Sequence, residues 1–262
     1  MSGEPILDVR EVTKAFGGIL ALNRVSLKVF PGEILGVIGP NGSGKTTLVN
    51  CITGFIRMTS GKVLFKGKDI SRKPAHKIAD LGLTRTFQIM RPYYSLPAYK
   101  NLVIPLFSPR ARRTGGWRGG GKLGDRDTVG IDILEEIGFE RDSFVPYKLA
   151  SSLPTGYLKR LELARCLALK PQMIICDEVF SGLSMSEIAS MVPIIERLRM
   201  DGITLLMIEH RLRELFRVAN RVIVLNFGEK IMEGTPEQVM NDEKVKEAYF
   251  GSEEVEEVMK HA

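Results

Sequence analysis

Cysteine is scarce in this chain: three residues, Cys51, Cys166 and Cys176, among 262. Their number is odd, their spacing suits no metal ion, and each sits among apolar neighbours. That excludes a disulfide framework and a zinc site, and points to buried, reduced thiols of a cytosolic protein. Long apolar runs are also missing, since none approaches the roughly 18 residues that cross a bilayer. Met1 to Phe16 carries charges throughout, so no secretory signal is expected there. Internal repeats are absent as well. A hydrophobic share of 44% and a charged share of 26% describe an ordinary globular protein, either one large α/β domain or two small ones.

Acid is lacking from one stretch. Ser108 to Gly124 holds Arg110, Arg112, Arg113, Arg118 and Lys122 without Asp or Glu, so five of the net six positive charges lie there. The remainder is near neutral, which argues against a nucleic-acid groove. The segment reads as a solvated, Gly-rich, mobile loop. Its functional alternative is contact with anionic lipid headgroups or an acidic partner surface.

What the chain does have is Gly39-Pro40-Asn41-Gly42-Ser43-Gly44-Lys45-Thr46-Thr47, a G-x-x-x-x-G-K-[ST] pattern. The apolar run Glu33 to Ile38 before it reads as a buried parallel strand, and Thr46 to Thr53 as the start of a helix. Strand, Gly-rich turn and helix together make a phosphate cradle. Glycines let successive N–H groups turn inward, and the helix N-terminus adds partial positive charge. Lys45 is expected on the β- and γ-phosphates of a nucleoside triphosphate, and the Thr46 hydroxyl on Mg²⁺.

Upstream, Ile6 to Phe16 and Leu20 to Val29 read as a hairpin around Phe16-Gly17-Gly18. Gly61 to Phe65 and Lys68 to Ile70 add strand pieces, giving an antiparallel sheet beside the nucleotide-binding core. Phe16, on a loop, can stack on adenine by its ring face. Leu83 to Gln88 reads as a strand ending in an amide. Asp127 to Gly138 reads as a helix closed by glycine. Gly156 to Leu169 reads as a helix with Leu161, Leu163 and Leu167 inward and Lys159, Arg160 and Glu162 outward. Strands then alternate with helices, which predicts a parallel sheet with right-handed crossovers.

Met173 to Cys176 runs straight into Asp177-Glu178, and Ile203 to Ile208 into Glu209-His210. Ligands in open α/β sheets sit beyond the carboxyl ends of the strands, where both pairs would emerge. Asp177 suits the Mg²⁺ hydration shell, and Glu178 the activation of the water that attacks the γ-phosphate. The amide of Gln88 can touch metal and water, and His210 offers a donor to the γ-phosphate or that water.

The order of aromatic loop, P-loop, Gln strand, helical insertion, Leu-x-x-Gly-x motif, acid pair and His strand resembles an ABC-type ATPase over nearly the whole chain. Within that family the chain resembles the ATP-binding subunits of branched-chain amino-acid importers. The residues that carry this are Asn50 to Phe55, Arg85 to Gln88, Arg160 to Cys166, Ile208 to His210, Gly234 to Glu237 and Ala248 to Gly251. Lipopolysaccharide-exporter ATPases share parts of the pattern. The resemblance implies an α/β P-loop NTPase of the ABC type, with a mainly parallel core sheet, an N-terminal antiparallel β subdomain and a helical insertion. Residues 1–262 form one domain in that reading. Residues 1–88 with 151–250 make the core and β subdomain, 89–150 the insertion with its basic loop, and 252–262 an acidic tail.

By the same resemblance, Phe16 is the adenine-stacking aromatic, Gly39 to Thr46 the Walker A loop, and Gln88 the Q-loop glutamine. Asp177 is the Walker B aspartate, Glu178 the catalytic glutamate and His210 the switch histidine. ATP and Mg²⁺ are the implied ligands. A partner ATPase subunit, a paralogue or a second copy, would close on the ATP. Permease subunits and a substrate-binding protein complete the implied assembly, peripheral at the cytoplasmic membrane face. The stretch after Gln88, with Tyr93 and Tyr94, would lie where the permease's coupling helices dock.

Three positions depart from the family pattern. The signature, usually Leu-Ser-x-Gly-Gln, stands here as Leu153-Pro154-Thr155-Gly156-Tyr157. Val179 replaces a proline, and Arg211 an aspartate. A second reading therefore stays open: an ATP-binding regulatory or non-transport protein that hydrolyses weakly.

Overall fold

The computed structural model describes residues 3–114 and 126–249. Arg118, Lys122 and the tail 252–262 lie outside the described residues. The hairpin forms as expected from β1 (Leu7–Phe16) and β2 (Ile19–Val29), with Gly17 taking the left-handed conformation its turn requires. Then come β3 (Ile34–Ile38), α1 (Lys45–Ile52), β4 (Ser60–Phe65), β5 (Lys68–Asp69), α2 (Ala75–Leu81) and β6 (Leu83–Arg85). They are followed by α3 (Val103–Leu106), α4 (Pro109–Arg113) and α5 (Arg126–Glu136). The rest alternates: α6 (Thr155–Leu167), β7 (Met173–Asp177), α7 (Met185–Met200), β8 (Thr204–Ile208), α8 (Leu212–Val218) and β9 (Arg221–Asn226). β10 (Glu229–Gly234), α9 (Pro236–Asn241) and α10 (Glu243–Ala248) close the described chain.

Two sheets result. An antiparallel sheet runs β2-β1-β4-β5, and a six-stranded sheet runs β10-β9-β3-β8-β7-β6. In the latter, β9, β3, β8, β7 and β6 are parallel and β10 pairs antiparallel at the edge. Strand periodicity divides the core in two. Leu35, Val37, Ile175, Leu206, Ile208 and Ile223 face α1 and the antiparallel sheet. Ile34, Ile38, Ile174, Cys176, Leu205 and Val222 face α6, α7 and the helices of 98–139. Covered on both faces, these strands must be apolar at every position, which is why they read as unbroken hydrophobic runs. All three thiols are buried, as expected. The order also brings the carboxyl ends of β3, β8 and β7 side by side.

Several expectations need correction. β6 ends at Arg85, so Gln88 stands three residues beyond the strand. The last ladder bond there is Thr86 N–H to Ile175 O, after which Phe87 packs edge-on against Phe55 with centroids 5.4 Å apart. Lys159 and Glu162 do not face solvent; they are 5% and 4% exposed. α6 is enclosed on nearly every side, and both charges survive burial because each has partners. Lys159 Nζ donates to Glu178 O at 2.7 Å, while Glu162 accepts from Arg91 N and Arg165.

The basic segment is only partly a solvated loop. Its first part is α4, capped by Ser108 Oγ accepting from Ala111 N, with Pro109 in the first turn. The Arg110 guanidinium crosses Gly82 and donates to Lys170 O (2.8 Å) and Leu81 O (3.1 Å), at the ends of α6 and α2. Arg113 reaches Asp80 at 2.8 Å. Arg110→Ala should therefore lose two charge-assisted bonds, about 2 kcal/mol once their value is discounted for the partly exposed guanidinium. For a chain of this size that is a fall of roughly 4–8 °C in melting temperature. Exposed Arg112→Ala should change little. Equal melting of the two variants would contradict this account.

Candidate functional site

The nucleotide cradle follows β3 directly. Gly39, Gly42 and Gly44 all have positive φ, and at two of them space also demands glycine. A Cβ on Gly39 would lie 2.1 Å from Leu225 O, and one on Gly44 2.7 Å from Ala21 O. The loop is thus wedged between β9 and β2 and cannot carry side chains there. Gly44 opens α1, so the helix N-terminus faces the loop. Lys45 Nζ folds back on Gly39 O (2.6 Å) and Pro40 O (3.0 Å). Ser43 Oγ is buried without a hydrogen-bond partner among the described residues, and Thr46 is exposed in the first turn.

Beyond β7 and β8 the expected side chains converge. Glu178 has a left-handed backbone, φ 53, held by its N–H to Ile208 O and its carbonyl to Lys159 Nζ. This costs of order 1–3 kcal/mol in a non-glycine residue and persists only where the surroundings over-determine it. Its carboxylate accepts from Gln88 Nε2 at 2.9 Å and lies 3.1 Å from His210 Nε2. Asp177, 2% exposed, pairs through Oδ2 with Arg85 at 2.7 Å, while Oδ1 is buried with no hydrogen-bond partner among the described residues. Burial pushes the Asp177 carboxyl above the ordinary aspartate range, against the pull of Arg85.

Other expected residues make their contacts elsewhere. Phe16 is half-exposed at the end of β1, with Lys14 Nζ 4.6 Å from its ring centre. Leu153 is buried, Pro154 precedes the first residue of α6, and Thr155 is exposed. Tyr157 packs on Phe139, centroids 4.9 Å apart. Gly156 lies against the carboxylate of Glu187, so close that a Cβ would sit 2.4 Å from Oε1. Val179 is buried without polar demand, and Arg211 donates to Leu183 O at 3.0 Å, latching β8 to the loop before α7.

Two contributors were missed in the sequence. Lys159 ties the signature helix to the Glu178 backbone. Glu209 is buried and accepts from Phe180 N at 3.0 Å, shaping the turn after the acid pair. Desolvation pushes its carboxyl up to about 8. The signal for Lys159 was its stripe, shared with Leu163 and Cys166 at helical spacing.

The residues fit a Mg²⁺–nucleotide. Gly39, Gly42 and Gly44 keep side chains out of the loop at the head of α1, and buried Asp177 Oδ1 and Ser43 Oγ both lack hydrogen-bond partners among the described residues. Among the described residues no group of three His, Cys, Asp or Glu could hold a metal alone. Magnesium does not require one, being held typically by one or two protein oxygens plus phosphates.

Residues 22–181 match the family model described as ABC transporter, and residues 229–255 the one described as branched-chain amino acid ATP-binding cassette transporter. The chain is 35% identical to BraF of Pseudomonas aeruginosa, a high-affinity branched-chain amino acid transport ATP-binding protein, over 94% of this chain and 98% of that one. For the Escherichia coli protein of the same description, LivG, the figures are 35%, 95% and 98%. LptB of Haemophilus influenzae, from a lipopolysaccharide export system, is 34% identical over 95% of this chain and 98% of its own. A solved ATP-binding cassette of an ABC transporter, in its ADP conformation, superposes with TM-score 0.83 at 32% identity, covering 95% of this chain and 100% of that one. The chain belongs to the ABC transporter family and is one of its ATP-hydrolysing cassettes.

Proposed function

We propose that this chain is the ATPase subunit of an importer for branched-chain or other hydrophobic amino acids, driven by closure of a dimer on ATP. The observation that carries the catalytic part is the cluster of Gln88, Glu178 and His210 beside buried Asp177, on the sheet edge that also bears the P-loop. The match over 229–255 and the names of BraF and LivG support the importer over an exporter. Lys45 and the cradle amides would hold the phosphates; Thr46, Asp177 and Gln88 would hold Mg²⁺. The metal would neutralise charge on the β- and γ-phosphates. Glu178 would take the proton of the attacking water, with His210 and Gln88 fixing its orientation. Phe16 would stack on adenine.

Among the described residues no helix is long and apolar enough to cross a membrane. Attachment at the cytoplasmic face would then come through permease subunits. A cavity of about 280 Å³ lined by Phe55, His76, Phe87, Pro105, Glu162 and Arg165 supports their docking here, near exposed Ile89, Tyr93 and Tyr94. A substrate-binding protein would deliver the amino acid. Vesicles carrying the permease should take up labelled leucine only with this chain and ATP; uptake without the chain would refute the proposal.

Pro154 favours an asymmetric assembly. The signature Leu153 to Tyr157 would cap the γ-phosphate held by the opposite P-loop. Pro154 has neither hydroxyl nor N–H, and Thr155 stands one residue away. One lost charge-assisted bond costs about 1.5–3 kcal/mol, roughly 10- to 150-fold. A homodimer would lose it twice, whereas a paralogue with an intact signature would restore the site on this chain's P-loop. With such a paralogue, Glu178→Gln should abolish most activity and the partner's equivalent change little. Equal losses would rule the asymmetry out.

A further inference from the structure

Asn50, Thr53, Phe55, Arg85 and Phe87 carried the family resemblance, yet the catalytic reading gives them no task. The structure gathers them around one guanidinium. Arg85 Nη2 donates to Asp177 Oδ2 at 2.7 Å, Nη1 to Asn50 Oδ1 at 2.6 Å and weakly to Thr53 Oγ1 at 3.5 Å. Nε donates to Thr86 O at 3.2 Å. The Phe87 and Phe55 ring centres lie 4.7 and 5.5 Å from Cζ. Each of the three guanidinium nitrogens donates and two aromatic rings lie beside the group, an arrangement that lysine cannot reproduce.

We propose that Arg85 is a positioning residue of the metal site: it holds Asp177 by Oδ2 so that Oδ1 stays committed to the nucleotide-bound cation. This rests on the reading of Asp177 as a Mg²⁺-side residue. A buried ion pair is weak evidence for stability, so its retention calls for another use. Carboxylates that serve metals are characteristically held by an outer partner. Here one oxygen is held and the other, equally buried, is unpartnered. A positive charge so close would, by electrostatics alone, weaken cation binding. The two roles of Arg85 therefore predict opposite signs.

The test uses the full chain carrying Glu178→Gln, saturated with ATP, and Mn²⁺ as probe, with unbound Mn²⁺ read by electron paramagnetic resonance. Arg85→Gln and Arg85→Lys should each weaken Mn²⁺ binding about 10- to 100-fold. ATP binding in excess chelator should be unchanged. Asn50→Ala keeps the ion pair but releases one arm of the fork, and should weaken Mn²⁺ by a smaller factor with ATP binding in excess chelator unchanged. Unchanged or tighter Mn²⁺ binding in Arg85→Gln, or wild-type affinity in Arg85→Lys, overturns the proposal. Should Arg85→Gln fail to fold, wild-type affinity in Arg85→Lys overturns it equally. Asp177→Ala separates the layers. Undiminished Mn²⁺ affinity there would remove Asp177 from the metal, whereas a loss there without one at Arg85 would sink only the positioning role.

Discussion

Glu178→Gln is expected to leave ATP binding intact and to cut steady-state hydrolysis by about a hundredfold to ten-thousandfold, the range for removing a positioned general base. The substitution is nearly isosteric, so the cause would be chemical. The left-handed backbone at Glu178 is set by Ile208 O and Lys159 Nζ, neither of which touches the carboxylate. The side-chain amide can still accept from Gln88 Nε2, but it cannot take a proton. Phosphate release and equilibrium binding of ATP, measured on one preparation, separate the two effects. Near-normal turnover would remove Glu178 from the role of base and shift attention to His210.

The parts that were legible in the sequence are those whose information is contiguous. The P-loop holds its glycines, Lys45 and Thr46 within a few residues, and the acid pair follows its strand without a gap. Strands buried on both faces announce themselves as apolar runs, so β3, β7, β8 and β9 could be placed, and with them the edge where the site forms. What stayed hidden depends on partners distant in sequence. Arg85 meets Asp177 across 92 positions, and no local pattern reveals that pairing. Lys159 and Glu162 read as solvent-facing because charge normally goes there. A helix enclosed on nearly every side overrides that expectation once backbone carbonyls and opposite charges are at hand. Counting cations in 108–124 likewise could not show that Arg110 caps two helix ends. Gln88 reads as the end of a strand that starts at Leu83; the chain leaves the sheet after Thr86, where Phe87 packs on Phe55.

The second large loss is expected at Lys45. Lys45 is 6% exposed, and its ammonium donates to the carbonyls of Gly39 and Pro40, two groups of its own loop. Anionic phosphate oxygens make stronger, charge-assisted acceptors than these carbonyls. Lys45→Ala removes that exchange on both β- and γ-phosphates, and two such bonds are together worth about 3 kcal/mol or more, roughly 150-fold in affinity. Binding should be weakened and not abolished, because the loop amides and the N-terminus of α1 remain. The shape of the cradle is a separate matter. Gly39→Ala would drive a methyl group to within 2.1 Å of Leu225 O and pry the loop from β9, so that variant should lose stability as well as binding. Fluorescent-nucleotide binding and melting curves on the two variants distinguish charge from shape. Lys45→Ala should melt a few degrees lower, since it too gives up two bonds to carbonyls, alongside a large affinity loss, and Gly39→Ala should fall much further in melting temperature and also lose binding. Wild-type affinity in Lys45→Ala would detach Lys45 from the phosphates and leave the cradle amides as the whole of the recognition.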